Sequence, residues 1–199
     1  MTNKKLLLAT KNKGKIEEFQ KILTDIDIMS LNDFKIEEPE ENGKSFSENS
    51  ALKARYYGEN LKISAIADDS GLCVDELDNF PSIYSSRFNN GNKDYSYAFN
   101  ALELLLKYKN AEDYSAFFVC NISFYNYDTK IINSFEGKVY GRLTFPSRGD
   151  NGFGYDSIFI PDGYDKTFAE MTSEEKNVIS HRARAVEKFR NWFDKNKKF

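Results

Sequence analysis

The chain has 199 residues, 31 of them acidic and 28 basic, with two cysteines, one histidine and a formal net charge of −3. That length makes one domain, or two small lobes around a shared core, and a hydrophobic content of 40 % excludes global disorder. Two cysteines exclude a disulfide-stapled miniprotein and a four-cysteine zinc site, and one histidine excludes a site that needs several imidazoles. Metal chemistry must then rest mainly on carboxylates, which favours a hard cation such as Mg²⁺.

The first apolar run, Leu6 to Ala9, suits a short buried strand and is too short for a signal peptide or a membrane span. No window approaches about 20 continuous apolar residues, so a cytoplasmic protein is expected. The pattern predicts a helix from about Gly14 to Leu23, with Ile16, Phe19, Ile22 and Leu23 on one face. A second strand is expected over Ile26 to Leu31. Residues 35 to 45 carry Glu37, Glu38, Glu40 and Glu41 with Pro39 and Gly43, and read as a loop. Ser47 is the expected N-cap of a helix to about Leu61, with Leu52 and Tyr56 facing inward.

Ile63 to Ala67 reads as a strand that ends at Asp68-Asp69-Ser70-Gly71, and Leu72 to Val74 resumes an extended stretch. A loop with Pro81 and Gly91 leads to a helix from about Asp94 to Tyr108. Ser115 to Tyr125 and Ile131 to Val139 are strands joined by the turn Tyr127-Asp128-Thr129, an antiparallel hairpin. Arg148 to Tyr155 is a glycine-rich loop, followed by a short strand from Ser157 to Ile160. Thr172 or Ser173 caps a short helix, and Ser180 caps a last one to about Asp194, with Val186, Phe189 and Phe193 on one face. The whole reads as α/β with a mixed sheet, in a single domain over residues 1–199.

Four polar clusters fall at the ends of these elements, where α/β proteins place ligands. Thr10-Lys11-Asn12-Lys13-Gly14-Lys15 opens the first helix, and its backbone N–H groups and three lysines favour an anion. The alternative is a helix start with solvated lysines. Asp68-Asp69 follow an apolar run. In an extended chain they point to opposite sides, so one can hold Mg²⁺ or deprotonate water while the other fixes the loop. The alternative is an Asx turn. Arg148 to Asp156 offers Phe153 and Tyr155 as faces for a nucleobase, or as core aromatics. Glu174 to Arg182 carries Lys176, His181 and Arg182, whose donors suit a phosphate or a six-keto base, or simply form the exposed basic start of a capped helix. The slightly acidic total argues against a nucleic-acid polymer as partner.

Taken in order, LLLATKNKGKIEEF, ENGKSFSENSALKAR, AIADDSGLCVD, IYSSRF, GFGYDSIF and TFAEMTSEEKNVISHRARA resemble the Ham1 family of inosine triphosphate pyrophosphatases, from Leu7 to about Phe189. The resemblance implies a two-lobed α/β fold with an extended, twisted mixed sheet and a central substrate cleft. It implies hydrolysis of ITP, dITP or XTP to the monophosphate and pyrophosphate, with Mg²⁺, by a homodimer. It implies that Thr10, Lys11, Asn12, Lys13, Gly14 and Lys15 bind the triphosphate, that Asp69 is the proton acceptor and a metal ligand, and that Glu41 is associated with the metal. Ser70, Phe153, Gly154, Tyr155, Asp156, Lys176, His181 and Arg182 would bind the nucleotide, and Lys53 and Arg87 would neutralise phosphate charge. The family often has proline after the FGYD segment, where this chain has Ser157, and small residues where it has Asp150-Asn151. A Maf-type pyrophosphatase with another base preference, or a non-catalytic nucleotide-binding module, are the alternative readings.

Overall fold

The computed structural model describes residues 5–24, 26–89 and 94–196. Gly91, expected in the loop after Pro81, lies outside the described residues. The elements in order are β1 (Leu6–Leu8), α1 (Lys13–Ile22), β2 (Ile28–Ser30), α2 (Phe46–Leu61), β3 (Ala65–Val74), α3 (Ser85–Phe88), α4 (Ser96–Tyr108), β4 (Ser115–Tyr125), β5 (Ile132–Leu143), β6 (Phe159–Pro161), α5 (Ser173–Ile179) and α6 (His181–Lys195). The strands form one mixed sheet in the order β2-β1-β3-β4-β5-β6. β1 pairs in parallel with β2 and β3, and β5 pairs antiparallel with β6. The described residues cluster into two compact units, one of residues 1–69, 120–137 and 182–199, the other of residues 70–119 and 138–181.

Within the first unit, strand alternation decides which helix each side chain meets. Leu6 and Leu8 of β1 and Ile66 of β3 pack with Phe19 of α1 and Phe189 of α6. Leu7 of β1 and Ala65 and Ala67 of β3 pack with Ala54 and Tyr57 of α2. The sheet of this unit is therefore apolar on both faces, as an all-apolar run such as Leu6-Leu7-Leu8 requires. The second unit has its own core, in which Leu102 and Leu106 of α4 meet Phe118, Phe159 and Phe168. No helix of the described residues is long and apolar enough to cross a membrane.

Several boundaries differ from the sequence reading. α2 is capped by Ser45, not Ser47: the Ser45 hydroxyl accepts the Glu48 N–H at 3.1 Å, and the Glu48 carboxylate accepts the Lys44 N–H at 2.8 Å. Ser45 and Glu48 have the S-x-x-E spacing of such a cap, which a reading that starts from Ser47 passes over. The buried residues of α2 are Phe46, Asn49, Ser50, Ala54, Tyr57 and Gly58; Tyr56 is half-buried and packs against the core as expected, while Leu52 is half-buried. β3 does not stop at Asp68 but runs without a break through Asp-Asp-Ser-Gly to Val74. Ser157 lies in a single 3₁₀ turn, Asp156–Ile158, so the last strand begins two residues later than expected. Replacing Ser45 by alanine should cost about 0.5–2 kcal/mol in a urea unfolding series, whereas Ser47→Ala should stay within about 0.5 kcal/mol. Equal losses at the two positions would contradict this cap assignment.

Candidate active site

The first unit collects the lysine-rich helix start and both aspartates. Asn12 caps α1, its side-chain oxygen accepting the Lys15 N–H at 3.1 Å, and the Asn12 N–H donates to the Thr10 hydroxyl at 3.2 Å. Lys11 reaches the Ile36 carbonyl at 3.4 Å and Glu38 at 3.3 Å, both in the acidic loop. Lys13 is exposed and Gly14 half-buried. Lys15 is not a solvated surface lysine, since its ammonium meets Asp68 at 2.8 Å.

Because β3 continues through residues 68 and 69, the two carboxylates leave the sheet on opposite faces. Asp68 lies on the α1/α6 face between Lys15 and Arg182, the latter at 3.2 Å. Arg182 is 1 % exposed and also binds Glu18 of α1. Complete burial would push the Asp68 carboxyl up, but Lys15, Arg182 and Lys53 outweigh it and hold the group well below the usual carboxylate range. Burial would likewise lower the Arg182 guanidinium, and Glu18 and Asp68 overcome it. The guanidinium expected to read a base carbonyl is thus placed between two carboxylates of the first unit.

Asp69 lies on the α2 face. Lys53 of α2 reaches Asp69 at 3.4 Å and Glu41 at 2.7 Å, so one ammonium draws two carboxylates to the same point. The amide of Asn49 donates to the other oxygen of Asp69 at 3.1 Å. Burial raises the Asp69 carboxyl, with Lys53, Lys15 and the Asn49 hydrogen bond pulling the other way. The burial of Lys53 is likewise outweighed, by Asp69, Asp68 and Glu41, which raise its ammonium. The sequence reading does not single out Asn49. The signal was its spacing, four residues before Lys53, which sets both on one face of α2.

Among the described residues, no group of three or more His, Cys, Asp or Glu side chains is gathered that could hold a metal ion by itself. Glu41 and Asp69 nonetheless converge on a cation, the Lys53 ammonium, with hard oxygen donors. Two carboxylates completed by water and substrate phosphates are the usual Mg²⁺ set, so these residues fit that ion.

The second unit holds the aromatic loop and the lone histidine. Gly152 has φ +74°, and a side chain on it would collide with the Asp156 carboxylate. That carboxylate accepts the Phe153 N–H at 2.9 Å and binds the buried Lys176 ammonium at 2.5 Å. Lys176 also lies 4.8 Å from the centre of the half-buried Phe153 ring. Tyr155, read as a possible stacking face, is instead 4 % exposed in the core. Its hydroxyl donates to the Ser85 carbonyl at 2.7 Å and its ring meets Tyr95 edge-on. Gly154, between the two aromatics, is half-buried with φ +64°. His181 stacks on Phe118 with centroids 4.8 Å apart and planes at 14°. Thr172 caps α5 with a reciprocal bond to Glu175, which sets Lys176 one residue further on. Asn151 is tied to the Met171 carbonyl at 3.0 Å. Ser70 follows Asp69 in β3, and Arg87 is an exposed residue of α3 whose guanidinium lies over the Tyr84 ring.

In the first unit, a lysine-rich helix start and two carboxylates drawn to one ammonium suit a ligand that carries phosphate groups. The Ham1 family profile matches residues 6–192, and the chain belongs to the Ham1 family. It is 45 % identical over 194 residues to a dITP/XTP pyrophosphatase of Aquifex aeolicus, covering 92 % of this chain and 94 % of that protein. A dITP/XTP pyrophosphatase of Zymomonas mobilis is 42 % identical over 184 residues, covering 91 % and 88 %. The solved structure of a HAM1 protein from Coxiella burnetii superposes with a TM-score of 0.88 at 33 % identity, over 96 % of this chain and 99 % of that one.

The buried Asp68 cluster has a pH signature. The folded carboxyl titrates below its unfolded value, so its stabilisation is complete above the ordinary aspartate pKa of about 3.9 and is lost as the pH falls toward the depressed folded value. Asp68→Asn should cost about 3–5 kcal/mol near neutral pH. In urea unfolding the gap to the parent protein should narrow below about pH 4. A gap that stays constant down to about pH 3 would contradict the pairing.

Proposed function

We propose that the protein hydrolyses non-standard purine nucleoside triphosphates (ITP, dITP and XTP) to the monophosphate and pyrophosphate, removing them from the nucleotide pool. The observation that carries the reading is the meeting of Glu41 and Asp69 on one ammonium, in the unit that also presents the Thr10–Lys15 helix start. The names of the relatives from Aquifex aeolicus and Zymomonas mobilis support the substrate class.

Thr10, Lys11, Asn12, Lys13, Gly14 and Lys15 bind the triphosphate, with the α1 N-terminus contributing its dipole. Lys15 exchanges part of its attraction to Asp68 for phosphate oxygens, and Arg182 keeps Asp68 in place while it does so. Asp69 orients the attacking water and takes its proton. Lys13 and Lys15 stabilise the charge on the departing pyrophosphate. Glu41 and Asp69 would hold Mg²⁺, which when bound neutralises phosphate charge and polarises the phosphorus–oxygen bond. Lys53 adds positive charge beside the same two carboxylates.

In the second unit, Phe153 stacks on the base and Lys176, held by Asp156, donates to its edge. Gly154 lets the backbone approach the base closely, and Ser70 contacts the substrate. His181, kept flat against Phe118, donates to the six-keto oxygen, which adenine replaces with an amino group. Tyr155 and Arg182 serve by fixing their neighbours. The protein acts in the cytoplasm as a homodimer. Exposed Tyr97, Leu104 and Tyr108 on α4 support association between copies.

Pyrophosphate release should be seen from ITP, dITP and XTP in the presence of Mg²⁺, with little from ATP or dTTP. Release from none of them would favour a binding module, and a preference for dTTP would favour the Maf-type reading. Asp69→Asn should keep its circular dichroism spectrum and lose about 10²–10⁴-fold in turnover. Near-normal turnover would remove Asp69 from the mechanism. His181→Ala should narrow the XTP-to-ATP preference about 10- to 100-fold, and an unchanged ratio would remove it from base selection.

A further inference from the structure

The geometry points to Asn49 as the residue that positions the Asp69 carboxylate, tying it to the acidic loop that carries Glu41. The inference rests on the reading of Asp69 as the reacting carboxylate. Asn49 is 0 % exposed on the first turns of α2. Its Nδ2 donates to Asp69 Oδ2 at 3.1 Å, and its Oδ1 accepts the Gly43 N–H at 2.9 Å. Gly43 is two residues from Glu41, so one amide links the two chain segments whose carboxylates meet on Lys53. The remaining oxygen of Asp69, Oδ1, is the one turned to the Lys53 ammonium at 3.4 Å.

The chemistry requires asparagine. The Gly43 N–H needs an acceptor and the carboxylate needs a donor, in opposed directions, and a side-chain amide supplies both. Aspartate would supply only acceptors, serine is too short to span the gap, and glutamine adds a methylene to a buried site. Gly43 is matched to this contact: a Cβ there would lie 2.5 Å from Asn49 Oδ1 and 2.8 Å from the Glu48 Cβ. The loop can approach the amide closely only without a side chain at that position.

Asn49→Asp keeps the shape and the acceptor for Gly43 but removes the donor to Asp69. With XTP and Mg²⁺, kcat should fall about 10- to 100-fold while KM stays within about two-fold. Gly43→Ala, which displaces the amide without changing its chemistry, should show the same split between kcat and KM, and it keeps the test alive if Asn49→Asp does not fold. Ser50→Ala is the structural control. It breaks a neighbouring buried network in which the Ser50 hydroxyl meets Asn121 at 2.9 Å and Ser123 at 2.8 Å. It should lower the melting temperature and leave kcat unchanged. If Asp69→Asn is inactive while Asn49→Asp or Gly43→Ala keeps kcat within two-fold, the positioning role is wrong. If Ser50→Ala loses kcat as they do for the same drop in melting temperature, their effect is one of stability and the role is again wrong. If Asp69→Asn itself turns over normally, it is the underlying reading of Asp69 that fails.

Discussion

Two adjacent carboxylates inside a buried strand are tolerated only if each meets its own cation, and much of the first unit follows from that requirement. β3 carries Asp68 and Asp69 through a continuous extended segment, so the backbone sends them to opposite faces of the sheet. On one face Lys15 and Arg182 neutralise Asp68, and on the other Lys53 neutralises Asp69. Removing one partner of a buried pair typically costs about 3–5 kcal/mol, because the survivor stays desolvated. The start of α1, the start of α6 and the middle of α2 are thereby each held to the same strand by charge as well as by apolar packing.

The two faces have different consequences. The Asp68 face is closed: a carboxylate held far below its ordinary range and a guanidinium 1 % exposed are poor proton donors or acceptors near neutral pH. The Asp69 face differs. Its carboxyl is raised by burial, and its cation is shared with Glu41 on a half-buried loop. Neighbouring residues of one type are thus set apart by environment alone. Asp156 in the second unit repeats the closed arrangement, pinning Lys176 and the Phe153 backbone together.

Element types were largely legible in the sequence, because apolar runs and helical spacing survive in a short window. The Asp-Asp-Ser-Gly segment read as the end of a strand, since polar residues and glycine normally stop one. Here salt bridges supplied from α1, α2 and α6 pay the desolvation cost, and no local window contains them. Tyr155 and Phe153 read alike as stacking faces in the sequence, and the structure separates them: Tyr155 is buried in the core with its hydroxyl on the Ser85 carbonyl, while Phe153 is half-buried. Ser45 could have been read correctly from its spacing to Glu48, whereas the partners of Asn49 are 6 and 20 residues away.

By itself the sequence determined that no site built from several imidazoles or four thiolates is available, since the chain has one histidine and two cysteines. It also placed three lysines at one helix start despite a net charge of −3, because that clustering is local. The tertiary structure alone decided which cations neutralise each carboxylate, that Asp68 is held low while burial raises Asp69, and that Arg182 clamps Asp68. Those outcomes depend on burial and on cations brought from distant segments, and a pKa or a salt bridge is a property of that three-dimensional surrounding.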